Sequence, residues 1–124
     1  MPAKVIGFTS PLKSDSVLSI GADSVVMRND NLVEKLGENS IDVVIDLVGG
    51  KQWPDLLNVL KPFGRYAGAG AIGDAHVELD IRTLYLKDLR LFVCTVLDEG
   101  VFSNLVKRIE SGGISPLVAA TYPL

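Results

Sequence analysis

The chain has 124 residues, 48% hydrophobic and 22% charged, enough for one ordinary core and not for two. Its 12 Lys and Arg against 15 Asp and Glu leave a net charge of -3 with the basic residues scattered, so no footprint for a nucleic-acid backbone is expected. A lone cysteine, Cys94, and a lone histidine, His76, exclude an internal disulfide and a Cys/His zinc motif. No apolar run approaches the ~18 residues of a membrane span, and Gly7 interrupts the start too early for a signal sequence. A cytoplasmic protein with no membrane partner and no metal is expected.

Short β-branched runs bounded by glycine predict strands over Lys4 to Phe8, Ser24 to Met27, Asp42 to Val48, Arg65 to Ala69 and Leu89 to Val96. Helical stripes alternate with them. Leu12, Ser16, Val17 and Ile20 form one, closed by Gly21; Leu32, Val33 and Leu36 form another, closed by Gly37. Trp53, Leu56, Leu57 and Leu60 follow Gly49-Gly50, with Pro54 near the helix start and Pro62 as its stop, and Phe102, Leu105, Val106 and Ile109 end at Gly112-Gly113. The run from Ile41 to Val48 is too continuous for a half-exposed strand and is expected to be buried on both faces. Strand and helix alternating over short connections predict an α/β class: a doubly wound, mostly parallel sheet with helices on both faces.

Ligands of such sheets bind beyond the carboxyl ends of the strands. That rule selects Thr9 and Ser10 with Lys13, then Arg28, Val48 with Gly49-Gly50, and Ala69, Gly70 and Ala71. Gly49-Gly50 either lets backbone approach a flat ligand or simply turns the chain into the next helix. Thr9, Ser10 and Lys13 follow the first strand with no Asp or Glu among them, a composition that suits a ribose 2′-phosphate better than a 2′-hydroxyl. Alternatively Thr9 or Ser10 caps the next helix and Lys13 is a solvated charge. Arg28 could join the same phosphate or stand exposed. His76 reads as a loop histidine, Cys94 as a small buried hydrophobe, and Asp46 as a functional or a structural carboxylate. Tyr85, Leu86, Leu89 and Leu91 read as core or interface.

Four segments in register carry a family resemblance: Ile20-Gly21-Ala22-Asp23, the run Asp42 to Gly50, Leu60-Lys61-Pro62-Phe63-Gly64-Arg65, and Gly113-Ile114-Ser115-Pro116 with Tyr122-Pro123-Leu124. Together they resemble the medium-chain dehydrogenase/reductases, in particular the zinc-independent quinone oxidoreductase branch. The resemblance implies that residues 1–124 form an incomplete NAD(P)-binding Rossmann-like domain, lacking the usual first βα unit and its glycine-rich phosphate turn. It implies a dinucleotide partner, NADP(H) in preference to NAD, with Thr9, Ser10 and Lys13 at the 2′-phosphate. Val48 and Gly49 would face the adenosine, and Ala69, Gly70 and Ala71 would run toward the nicotinamide. The parent chemistry would be hydride transfer to a quinone or an activated double bond, inactive in this chain alone because the catalytic domain is missing. The same resemblance makes a homodimer through the last strand the leading assembly. Without its central strand the sheet would split into two halves unless the first strand pairs directly with Asp42 to Val48 or a second chain lends an edge. The reading from a different class is a non-catalytic Rossmann-like binding or self-association module; an adenosyl-methionine-dependent methyltransferase ranks last.

Overall fold

A computed structural model describes residues 2–95 and 98–123. It falls into two units, Met1–Cys94 and Thr95–Leu124. In the first, β1 (Ile6–Thr9) leads through a 3-10 turn (Pro11–Lys13) and α1 (Ser14–Ser19) to β2 (Ser24–Met27). Next come α2 (Leu32–Leu36), β3 (Ile41–Asp46), α3 (Trp53–Val59), β4 (Leu60–Gly68), α4 (Ile81–Leu86) and β5 (Arg90–Val93). The second unit holds the amphipathic helix α5 (Glu99–Glu110) and a tail without regular secondary structure.

Local chemistry accounts for most boundaries. The Asn31 side chain accepts the Glu34 amide at 3.1 Å and starts α2, and Gly37, at φ 84°, ends it by returning its amide to the Val33 carbonyl. Pro54 sits in the first turn of α3, where a missing N–H costs nothing. That helix runs straight into β4, and its last carbonyls are met from outside: Lys87 Nζ donates to Leu57 O at 2.8 Å and to Asn58 O at 3.0 Å. The helix α4, which the apolar pattern does not announce, is capped by Asp80, whose carboxylate accepts the Arg82 amide and pairs with its guanidinium at 2.7 Å. The fourth strand begins five residues before its expected start at Arg65, since Leu60 already pairs with Ile41; the ladder is irregular between there and Arg65, where Phe63 takes φ 64°. Of the expected last strand, Val96 lies outside the described residues.

Every strand pair is parallel, and the strands form two sheets, β1-β2 and β3-β4-β5. Direct pairing of β1 with β3 does not occur. Side chains join the two sheets instead: Val26, Leu32 and Val59 form a core against which Ile6 and Phe8 of β1 and Ile41 of β3 pack. The amides of Asn39 and Ser40 add backbone bonds to the carbonyls of Asn58 and Val59. The β1-β2 pair has helices on both faces, with Val17 of α1 against Gly7 on one side and α2 with α3 on the other. A second core joins Trp53 and Leu57 of α3 to Val44, Leu60 and Tyr66 of the larger sheet.

The expected burial of Ile41 to Val48 on both faces is corrected here. Val44 and Asp46 are buried, whereas Val43, Ile45 and Leu47 stay open, Ile45 at 74% exposure. A continuous β-branched run reports strand tendency; it carries no information on whether a second helical layer covers the other face. Cys94 is also corrected: it lies one residue past β5 and is exposed, with its amide donated to Gly68 O at 2.9 Å.

Candidate functional site

The carboxyl ends of β1, β2 and β3 are fastened to one another. Thr9, buried at the end of β1, gives its carbonyl to the Arg28 amide at 2.9 Å, which ties the end of β1 to that of β2. The Arg28 carbonyl in turn accepts from the Gln52 side chain, at the entry to α3. Arg28, Asn29 and Asp30 after β2 thus face Val48, Gly49, Gly50, Lys51 and Gln52 after β3 across a cleft of about 550 Å³, with Gly73 and Asp74 as its third wall.

Asp46 holds the floor of this turn. Its Oδ1 accepts the amides of Val48 at 2.8 Å and Gly49 at 3.1 Å, and its Oδ2 accepts the Tyr66 hydroxyl at 2.8 Å. The carboxylate is buried and has three donors, as a buried charge requires. Burial, and then the neighbouring Asp46 carboxylate, push the Tyr66 phenol up to about 12. Trp53 packs edge-on to the same ring with centroids 5.8 Å apart. The structural alternative for Asp46 is therefore the one realised.

Gly49 and Gly70 are fixed by close approach. Gly49 has φ 66°, and a Cβ there would stand 2.8 Å from the Asp74 carbonyl oxygen; a Cβ on Gly70 would meet the Leu47 carbonyl. Ala69 gives its amide to Asp46 O at 3.0 Å, and Ala71 lies beside Gly49. Ala69, Gly70 and Ala71 therefore cross directly above the end of β3, next to Val48 and Gly49, although the cleft wall itself is made by Gly73 and Asp74. Ser10 and Lys13 lie in the turn beyond β1, outside the lining of the cleft. Ser10 makes no side-chain cap bond, and Lys13 is exposed, so neither side chain is committed to the helix.

Of the expected residues, the cleft gathers Arg28, Val48, Gly49 and Gly50. It adds Asn29, Asp30, Lys51, Gln52, Gly73 and Asp74, which the strand-end rule did not single out. Gln52 and Arg28 are 24 residues apart, and no local pattern signals their contact. His76 is exposed, and its amide closes a turn on Asp74 Oδ1 at 2.9 Å. Among the described residues no three of His, Cys, Asp or Glu converge on a point where a metal could sit, so the donors present do not fit a zinc ion. No described helix is long and apolar enough to cross a membrane.

Comparison with known proteins agrees with this architecture. Rat quinone oxidoreductase is 27% identical over 119 residues, which cover 87% of this chain and 36% of that protein. A Sinorhizobium meliloti protein assigned as an alcohol dehydrogenase is 44% identical in its crystal structure, with a TM-score of 0.84 over 93% of this chain and 33% of its own. Bacillus subtilis yhfP, solved with NAD bound, is 21% identical with a TM-score of 0.69 over 87% of this chain and 35% of its own, and shows the fold alone. The chain spans about a third of the length of these relatives. Residues 1–111 match the zinc-binding dehydrogenase family, and the chain belongs to it.

Proposed function

We propose that the chain is the nucleotide-binding portion of an NADP(H)-dependent oxidoreductase of the quinone reductase and alcohol dehydrogenase type. The observation that carries this reading is the meeting of the ends of β2 and β3 across one cleft, with Arg28 on one wall and the backbone of Val48 and Gly49 on the other, and the end of β1 tied to that of β2 by the bond from the Arg28 amide to the Thr9 carbonyl. Arg28 and Lys51 give this rim positive charge beside Asp30 and Asp74, and the apolar Val48 offers a surface for a flat ring. Ser10 and Lys13 stand just past the end of β1, which pairs with β2 up to Thr9 and Met27, so they and Arg28 follow adjacent strand ends. Hydroxyl and cationic groups there, with no carboxylate in the turn, favour a 2′-phosphate over a free 2′-hydroxyl.

A bound NADPH would supply the hydride. The residues of this chain would hold the cofactor: Thr9, Ser10, Lys13 and Arg28 the 2′-phosphate, Val48 and Gly49 the adenosine, and the segment Ala69 to Ala71 the approach to the nicotinamide. The chain by itself is expected to bind weakly and not to turn over. The exposed, unpaired Cys94 suits the reducing cytoplasm.

Titration of the full chain with NADPH and NADH at low ionic strength tests this reading. Saturable binding is expected to favour NADPH, and Lys13→Ala should weaken NADPH binding by about tenfold while leaving NADH unchanged. Equal affinity for the two nucleotides would remove the NADP preference. No binding of either would favour the second reading, a non-catalytic self-association module, which has its own support in the exposed apolar residues of β5.

A further inference from the structure

The larger sheet has a second cavity, at the end opposite the strand-end cleft. The ladder between β4 and β5 begins at Arg65 and Arg90 and finishes at Gly68 and Val93, where the segment Ala69 to Ala71 follows. Just before the ladder begins, the turn at Phe63 meets the turn from α4 into β5. The Phe63 amide donates to the Lys87 carbonyl at 2.7 Å, and the Leu89 amide to the Leu84 carbonyl at 3.0 Å. Here lies a cavity of about 510 Å³ lined by Phe63, Leu84, Tyr85, Asp88, Leu89 and Arg90, a size that takes a small molecule.

Its lining divides by chemistry. Leu84 and Leu89 pack on the core of Val44, Trp53, Leu57, Leu60 and Tyr66, so they make a fixed apolar floor. Phe63 and Tyr85 line it with 70% and 61% of their surfaces exposed. The one aromatic pair among the described residues is Trp53 with Tyr66, so both of these rings are unstacked. Phe63 has φ 64°, a conformation in which a bulky residue is strained and glycine is not. Burial does not offset that strain, because the ring lies mostly in solvent; a ligand against the ring would. Asp88 and Arg90 complete the rim with opposite charges two residues apart, and among the described residues neither forms an ion pair.

Two unstacked rings, an apolar floor and one charge of each sign suit a flat ring whose side arm carries an ammonium and a carboxylate on one carbon. An aromatic ligand with a single charge would meet a like charge on the rim. We propose that this cavity binds a free aromatic amino acid, its ring against Phe63 and Tyr85, its ammonium on the Asp88 carboxylate and its carboxylate on the Arg90 guanidinium. The site shares no lining residue with the strand-end cleft and does not depend on nucleotide binding.

The test is a titration of the full chain with L-phenylalanine, followed through its backbone amide resonances by NMR. Saturable shifts are expected at Phe63, Asp88, Leu89 and Arg90, with Gly49 and Asp74 of the strand-end cleft unmoved. Phenethylamine, which lacks the carboxylate, and hydrocinnamate, which lacks the ammonium, should each bind about fivefold more weakly. L-leucine, which lacks the ring, should be weaker by a similar factor. Asp88→Asn should bring phenylalanine down to the level of hydrocinnamate, and Arg90→Gln should bring it down to that of phenethylamine. Phe63→Gly places glycine in a conformation it adopts freely, so this variant should fold at least as well as the parent chain and lose the binding. Should a variant fail to fold, the two truncated analogues decide on the parent chain alone. No saturable shift at millimolar phenylalanine, shifts confined to Gly49 and Asp74, or binding of either analogue as tight as that of phenylalanine would each overturn the site.

Discussion

The Tyr66 hydroxyl and the Asp46 carboxylate join the sheet to the turn that forms the cleft, and the bond needs the phenol protonated. Because the folded pKa, about 12, lies above the ordinary value of 10.0, the stabilisation is complete below pH 10 and is lost as pH rises from there toward 12. Tyr66→Phe should cost about 1–2 kcal/mol in denaturant titrations below pH 10 and should flatten the alkaline decline of the parent chain. Asp46→Ala should cost more, about 2–3 kcal/mol, since it leaves the Val48 and Gly49 amides and the Tyr66 hydroxyl without their acceptor. A variant that kept the alkaline slope after loss of the Tyr66 hydroxyl would assign that slope to another group. Lys13 is the opposite kind of residue: exposed, with no side-chain bond among the described residues, its side chain can be removed with little cost to the fold, so any loss of NADPH affinity reports binding.

Elements such as α3 depend on groups far away in sequence. It is seven residues long, too short to persist alone, and its carbonyls at Leu57 and Asn58 are met by the Lys87 ammonium at the far end of α4. Burial pushes the Lys87 pKa down, with Glu38 opposing, so the charge is held there at some cost and repaid by two carbonyl bonds. Lys87→Met should lower stability by about 1 kcal/mol in thermal or denaturant unfolding. Leu57→Ala, at a side chain 1% exposed, should lower it by about 3 kcal/mol. The sequence pattern makes α1, α2, α3 and α5 visible because glycines or prolines bound their apolar stripes. It hides α4, whose six residues carry too little periodicity and whose cap, Asp80, reads as one more acid in a polar loop. Strand ends were legible for the same reason as the helices, and they located Arg28, Val48, Gly49 and Gly50. The bridge from Gln52 to Arg28, the third wall at Gly73 and Asp74, and the open face of β3 depend on how separate elements meet, which no local pattern encodes.

At the scale of the molecule the last strand of the larger sheet is where a homodimer would form. Among the described residues β5 bonds only to β4, and every one of its residues is exposed. Cys94 gives its amide to Gly68, so Leu91 and Val93 direct their backbone groups away from β4 along an unprotected apolar edge. Proteins usually blunt such an edge with charge, proline or a bulge; here Arg90 is the only charged residue in the strand. The proposed homodimer would pair two of these edges, completing a continuous sheet across the two copies. Val93→Pro deletes one outward N–H at a side chain 93% exposed and leaves the β4 ladder untouched, so it should change stability by less than about 1 kcal/mol. Sedimentation should then find the parent chain dimeric and the variant monomeric at the same concentration. A parent chain that remains monomeric at high concentration would remove the edge from consideration, and an unaltered dimer in the variant would place the contact elsewhere on the exposed apolar surface.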